Sequence, residues 1–208
     1  GAALAAQGGR TNVLTNDLWF TGGAKLTPMA GLTVNADYTF NYYSRDYKRH
    51  DRSYKEYLAV PGVYVMFPHT NPNRVTQYNN ADYYSAFNAY ADYTKQLGKH
   101  GLKAMIGYNQ ETKKYSGYGV SRTNLINNEL PFLGLATGTM NIYTSNVGSW
   151  NSNIPEDLPS DNELVKNANQ EWAIQGYFFR LNYNYDDRYL LEVNGRYDGS
   201  SRFPSSGR

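Results

Sequence analysis

The stretch that decides the fold is Gln175–Phe203, QGYFFRLNYNYDDRYLLEVNGRYDGSSRF. Side chains alternate across a strand with a period of two, so a strand between two different environments reads apolar and polar in turn. Tyr177, Phe179, Leu181, Tyr183 and Tyr185 share one face, and Arg180, Asn182 and Asn184 take the other. Asp186, Asp187 and Arg188 turn the chain. The return strand sets Tyr189, Leu191, Val193, Gly195 and Tyr197 against Glu192, Asn194, Arg196 and Asp198. The result is a hairpin with a tyrosine-rich apolar side and a charged side. A soluble sheet can have two such sides. The tyrosines, however, gather at strand ends with smaller aliphatics between them, as in the aromatic girdles of a transmembrane barrel.

The same grammar recurs upstream. Leu32, Val34, Ala36, Tyr38, Phe40 and Tyr42 alternate with Thr33, Asn35, Asp37, Thr39, Asn41 and Tyr43. That run is long for a soluble strand and suits a tilted membrane-spanning one, which needs about 9–11 residues. Asp37 at its middle would be costly against lipid and should face water. Before it, Val13–Thr27 has Leu14, Leu18, Phe20, Gly22, Ala24 and Leu26 on one face and Asp17, Thr21 and Lys25 opposite, with Trp19 out of pattern among the polar set. Pro28–Gly31 is a tight reversal. Residues 1–12 read as a loop or frayed approach. A third hairpin places Tyr83, Phe87, Ala89, Ala91, Tyr93 and Leu97 opposite Tyr84, Asn88, Tyr90, Asp92 and Gln96, turns through Gly98–Gly101, and returns through Leu102, Ala104, Ile106 and Tyr108.

Between the hairpins lie two long connections, Ser44–Ala81 and Ser116–Gln170. All the tight turns therefore sit at one end of the strands and all the long loops at the other. Outer-membrane barrels put short turns in the periplasm and long loops outside the cell. Long loops usually carry function. Within the first, apolar Leu58–Phe67 fits a partner-docking loop and equally a segment packed back into the barrel mouth.

Composition agrees with strands and turns: 21 tyrosines and 19 glycines in 208 residues, and no cysteine, which excludes a disulfide framework or thiolate metal site. A net charge of +2 without a basic run gives no reason to expect nucleic acid. The mean hydropathy of −0.68 argues against a helical membrane protein but not against a barrel, in which only the lipid-facing half of each strand must be apolar. The start, GAALAAQGGR, lacks the basic and long apolar regions of a secretory signal.

The run FFRLNYNYDDRYLLEVNGRYDGSSRF resembles a signature in the barrel of SusC/RagA-type TonB-dependent outer-membrane transporters of Bacteroidetes, tightly over residues 172–204 and loosely over the rest. The expected fold is all-β, part of an antiparallel up-and-down transmembrane β-barrel: about six strands in three hairpins with two long extracellular loops. Six strands cannot close a membrane barrel, and an open sheet edge in lipid leaves hydrogen bonds unmade. Residues 1–208 are therefore expected to be barrel wall, with the plug domain and remaining strands outside this chain.

The resemblance implies import of oligosaccharides or peptides across the outer membrane of a Gram-negative bacterium. It further implies delivery by a SusD-like surface lipoprotein, and a TonB-driven movement of the plug. Outer-membrane lipid is the remaining expected partner. Asp37, Asn41, Tyr43, Tyr84, Asn88, Arg196 and Asp198 are the candidates for facing substrate. No catalytic residue, cofactor or metal is expected. His50, His69 and His100 stand alone, without metal-ligand spacing. Asp198-Gly199-Ser200-Ser201 lacks a nearby histidine base and a nucleophile elbow, and reads as a loop entrance with side-chain-to-backbone hydrogen bonds. Asp37 and Asp92 offer a carboxylate pair of the kind that cleaves glycosides, but each also fits a solvated lumen wall. The rival reading is a soluble all-β glycan-binding module with an aromatic face, such as Tyr43, Tyr84 and Tyr90 would provide. An enzyme on the same scaffold is the third.

Overall fold

The computed structural model describes residues 8–57, 62–66, 68–143 and 169–203. Six long strands, β1 (Gly9–Met29), β2 (Leu32–Asp51), β5 (Arg74–Leu97), β6 (His100–Thr123), β8 (Asn169–Tyr185) and β9 (Tyr189–Ser200), follow one another in the sheet in chain order. Short β3 (Lys55–Tyr57) and β4 (Tyr64–Met66) pair with each other, and β7 (Met140–Tyr143) pairs antiparallel with β6. The expected three hairpins are β1–β2, β5–β6 and β8–β9, and the path of the sheet from β1 to β9 is open.

The long strands exceed the expected ones. β1 begins at Gly9 rather than near Val13, β2 runs on to Asp51, β5 starts back at Arg74 and β6 continues to Thr123. These extensions scatter Tyr47, Val75, Tyr78, Tyr118 and Val120 among polar residues without a sustained period of two, so alternation does not betray them, and the connections shrink accordingly. At the start of β1 the fit is steric: a Cβ on Gly9, which has φ of 100°, would run into the His50 carbonyl.

The chain divides into two compact units. The second comprises Asp17–Tyr42, Asp82–Lys114 and Gln170–Arg208 and holds all three tight turns. Ala30–Gly31 and Gly98–Lys99 are two-residue reversals in which Gly31 (φ 84°) and Gly98 (φ 60°) supply the left-handed backbone. In the third, Asp186 and Asp187 adopt φ of 54° and 52°, and the Arg188 amide donates to the Tyr185 carbonyl at 3.0 Å. Two positive φ values in a row match the twist of a hairpin, and short Asp side chains tolerate them.

Pairing of β8 with β9 sets Tyr177 opposite Tyr197, Phe179 opposite Gly195, Leu181 opposite Val193 and Tyr185 opposite Tyr189. The apolar face carries two aromatic bands. Tyr42 meets Tyr83 with ring centroids 5.2 Å apart, Phe87 meets Tyr108 at 6.4 Å, and Tyr108 meets Tyr177 at 5.1 Å. Near the turns, the His100 ring lies 5.9 Å from Tyr183 and 4.9 Å from Tyr185, with a 2.6 Å hydrogen bond between its Nδ1 and the Tyr183 hydroxyl. Eight residues separate Tyr177 from Tyr185, about 26 Å along a strand, comparable with the apolar band of an outer-membrane barrel.

The first unit comprises Gly1–Asn16, Tyr43–Ala81 and Tyr115–Asn169. Its described part contains a small apolar cluster of Val75, Leu125 and Ala136, with Leu133 against it. Two asparagines tie its connections together. Asn73 accepts from the Leu125 amide at 2.7 Å and donates to the Leu125 carbonyl at 3.3 Å and to Asn128 Oδ1 at 3.0 Å. Asn128 in turn accepts from the Ser53 amide at 3.2 Å and donates to its carbonyl at 2.9 Å. Arg52 and Glu129 form an ion pair beside them. The apolar segment Leu58–Phe67 lies partly outside the described residues; within it Val63, Tyr64, Val65 and Met66 are exposed.

Candidate functional site

The polar face of the second unit is bridged from strand to strand by pairs of hydrogen-bonded side chains. β1 and β2 bring Asp17 and Asn41 together, with the Asn41 amide donating to Asp17 Oδ1 at 2.6 Å and to the Leu18 carbonyl at 3.1 Å. Across β2 and β5, Asn88 donates to Asp37 Oδ2 at 2.8 Å. Across β5 and β6, the Tyr84 hydroxyl donates to Glu111 Oε2 at 3.1 Å, and Lys113 lies 3.6 Å from Asp82. Across β6 and β9, Arg196 binds both Asp198 oxygens at 2.8 Å and gives its remaining fork to Asn109 Oδ1 at 3.0 Å. Gly176 on β8 lies beneath this cluster, where a Cβ would meet Asp198, Asn109 and Arg196.

Of the candidates read from the sequence, Asp37 and Asn88 are bonded directly, Tyr84 is one bond from Glu111, and Arg196 and Asp198 form one ion pair. Asn41 joins Asp17, and Tyr43 lies in the first unit. Asp17, Asn109 and Glu111 were absent from the expected set, although each shares a face with members of it. Trp19 was visible as the residue that broke the apolar pattern. Its ring sits 6.3 Å from Tyr84, tilted by 56°, with about 59% of its surface exposed. An aromatic pair flanked by carboxylates and amides can stack a ring or a planar amide while accepting its hydrogen bonds. Phe178, the one phenylalanine of β8 on this face, covers Gly107, where a Cβ would overlap its ring.

Beyond this wall, Ser201 makes backbone hydrogen bonds with β8. The Ser201 hydroxyl accepts from the Ala173 amide at 2.8 Å and its own amide donates to the Ala173 carbonyl at 2.9 Å, so this serine extends the β8–β9 pairing. No group of three or more metal-ligating side chains occurs among the described residues, and none of their helices is long and apolar enough to cross a membrane. In the first unit His50 is buried with its Nε2 unpartnered; burial, reinforced by the Arg52 charge, holds its pKa below the ordinary 6.5.

An open antiparallel wall with one apolar, girdled face and one hydrogen-bonded polar face defines the class: a segment of an outer-membrane β-barrel. The resemblance to SusC/RagA-type TonB-dependent transporters holds on comparison with known proteins. The chain is 26% identical to the TonB-dependent receptor SusC of Bacteroides thetaiotaomicron over 184 residues, covering 84% of this chain and 15% of that protein. It is 24% identical to the TonB-dependent receptor P3 of Formosa agariphila over 119 residues, 57% of this chain and 10% of the relative. No family model matches. Among solved structures, the RagAB peptide transporter superposes with a TM-score of 0.70 and its closed-closed state with 0.71, both at 18% identity and over 95% of this chain and 19% of theirs. The chain thus spans less than a fifth of the length of these relatives. They are receptors and transporters, not enzymes.

Proposed function

We propose that this chain is a wall segment of a TonB-dependent importer that admits oligosaccharides or peptides delivered by a SusD-like surface lipoprotein. The observation that carries the reading is the division of the second unit into an apolar face with two aromatic bands and a polar face of interlocked amides and carboxylates. Such a wall separates lipid from a watery lumen. The lumen side offers solute exposed Trp19 beside half-buried Tyr84, with the pairs Asp37–Asn88, Tyr84–Glu111 and Arg196–Asp198 each held by its own hydrogen bonds. Because these groups already bond to each other, a passing solute exchanges hydrogen bonds with the wall instead of being held by unpaired charges. Weak, repeated exchange suits passage. Peptide transport by RagAB supports the peptide half of this reading.

The test is uptake by cells whose full-length transporter carries Trp19→Ala or Glu111→Gln. Uptake of one class, labelled oligosaccharides or labelled peptides, falls several-fold at unchanged outer-membrane abundance. Unchanged uptake of both classes in both variants removes this wall from the solute's path.

A further inference from the structure

We propose that the apolar face of the second unit carries a lipid site: a groove that seats an acyl chain of an outer-leaflet glycolipid. The groove is a depression of about 750 Å³, within the roughly 300–1,000 Å³ typical of ligand pockets. Small Ala89 and Ala91 on β5 leave its floor low, Tyr108, Tyr177 and Phe179 line it with aromatic rings, and Gly195 on β9 lies beneath the Phe179 ring. Phe179 leans over Gly195, its cross-strand partner, so closely that a Cβ there would collide with the ring. Glycine on one strand therefore lets the aromatic ring of the next lie flat over it, which keeps the groove open on its other side.

The occupant follows from position. Tyr177, Phe179 and Tyr197 are 55%, 48% and 75% exposed, and in an outer membrane an exposed apolar barrel face meets hydrocarbon. The groove is continuous with that lipid-contacting surface, and a flexible chain fills an irregular furrow better than a rigid partner does. Its leaflet follows from the turns. Tyr108 and Tyr177 belong to the aromatic band away from the short turns, and short turns face the periplasm. The groove thus opens toward the outer leaflet, whose lipid in a Gram-negative membrane is glycolipid. At that rim the Tyr108 hydroxyl donates to Gln110 Oε1 at 2.9 Å, leaving polar groups where acyl chain gives way to sugar headgroup.

The inference rests on the barrel reading and not on the transported solute, so solute uptake serves as the separate readout. The full-length transporter is extracted from outer membranes in mild detergent, washed, and assayed for retained lipid by native mass spectrometry and by its 3-hydroxy fatty acids. The wild-type protein retains glycolipid. Ala91→Phe and Ala89→Phe, which fill the floor, retain at least threefold less, whereas Ala104→Phe, on the same face outside the groove, retains as much as wild type. Where a phenylalanine variant fails to assemble, Ala91→Val and Phe179→Ala make the same comparison. Equal retention in filled and unfilled proteins, retention of phospholipid alone, or no retained lipid overturns the proposal.

Discussion

Placing one arginine on each face of β8 tests the assignment of its apolar and polar sides. Leu181 lies midway between Tyr177 and Tyr185, pairs with Val193 and belongs to the apolar face. Asn182, next in the chain, donates to Glu192 at 2.9 Å on the polar face. Arginine on a lipid face near the midplane costs about 2–4 kcal/mol, whereas lumen substitutions mainly tune selectivity. At 1.4 kcal/mol per tenfold, Leu181→Arg should shift the folding equilibrium by roughly 30- to 700-fold. Asn182→Arg should cost less than about 1 kcal/mol, because it places a cation opposite Glu192. The assay is the heat-modifiable, folded fraction of the full-length protein in isolated outer membranes, followed through a denaturant series. Leu181→Arg should lose its folded band at much lower denaturant and accumulate less, while Asn182→Arg tracks wild type. Equal tolerance of both, or greater damage from Asn182→Arg, would refute the two-face assignment.

Two further expectations concern packing and protonation. Gly107→Val pushes a branched side chain into the Phe178 ring and should destabilise by about 1–3 kcal/mol, as overpacking does; Phe178→Ala in the same protein should recover most of the loss in the denaturant midpoint, and an unchanged midpoint in the single variant would show that the ring moves freely aside. His50 is held neutral in the fold, with its pKa lowered by burial and by Arg52, so an opened state takes up the proton more readily. Its contribution is complete above about pH 6.5 and declines as pH falls through that value toward the lowered folded pKa. Amide exchange at Asp51 and Arg52, corrected for intrinsic rates, should speed up between pH 7.5 and 5.5, and His50→Gln should flatten the dependence. Equal protection at both pH values would rule the histidine out.

What the sequence displayed was period and punctuation. Two-faced strands and tight turns at Gly31, Gly98 and Asp186–Arg188 were legible because each depends on a few neighbouring residues. The extensions of β1, β2, β5 and β6 were not, because their few apolar residues, such as Tyr47 and Val75, do not recur with a sustained period of two. For the same reason the connections read longer than they are. The polar wall was half legible: a face can be read from parity, so Asp37, Tyr84, Asn88 and Arg196 were found. Which residues touch depends on register between strands, so Glu111, Asn109 and Asp17 stayed outside the candidate set. Trp19 was the one site residue announced by a local anomaly.

The asparagine clasp of the first unit has a kinetic side. Asn73 and Asn128 fasten Ser53 and Leu125, far apart in sequence, through their main-chain groups. Stitching of this kind resists independent swinging of the two connections, because moving one strips hydrogen bonds from the other. A macromolecule arriving there meets a preorganised shelf, with little freedom left for it to freeze out, and its residence time is then governed by surface complementarity rather than by loop ordering.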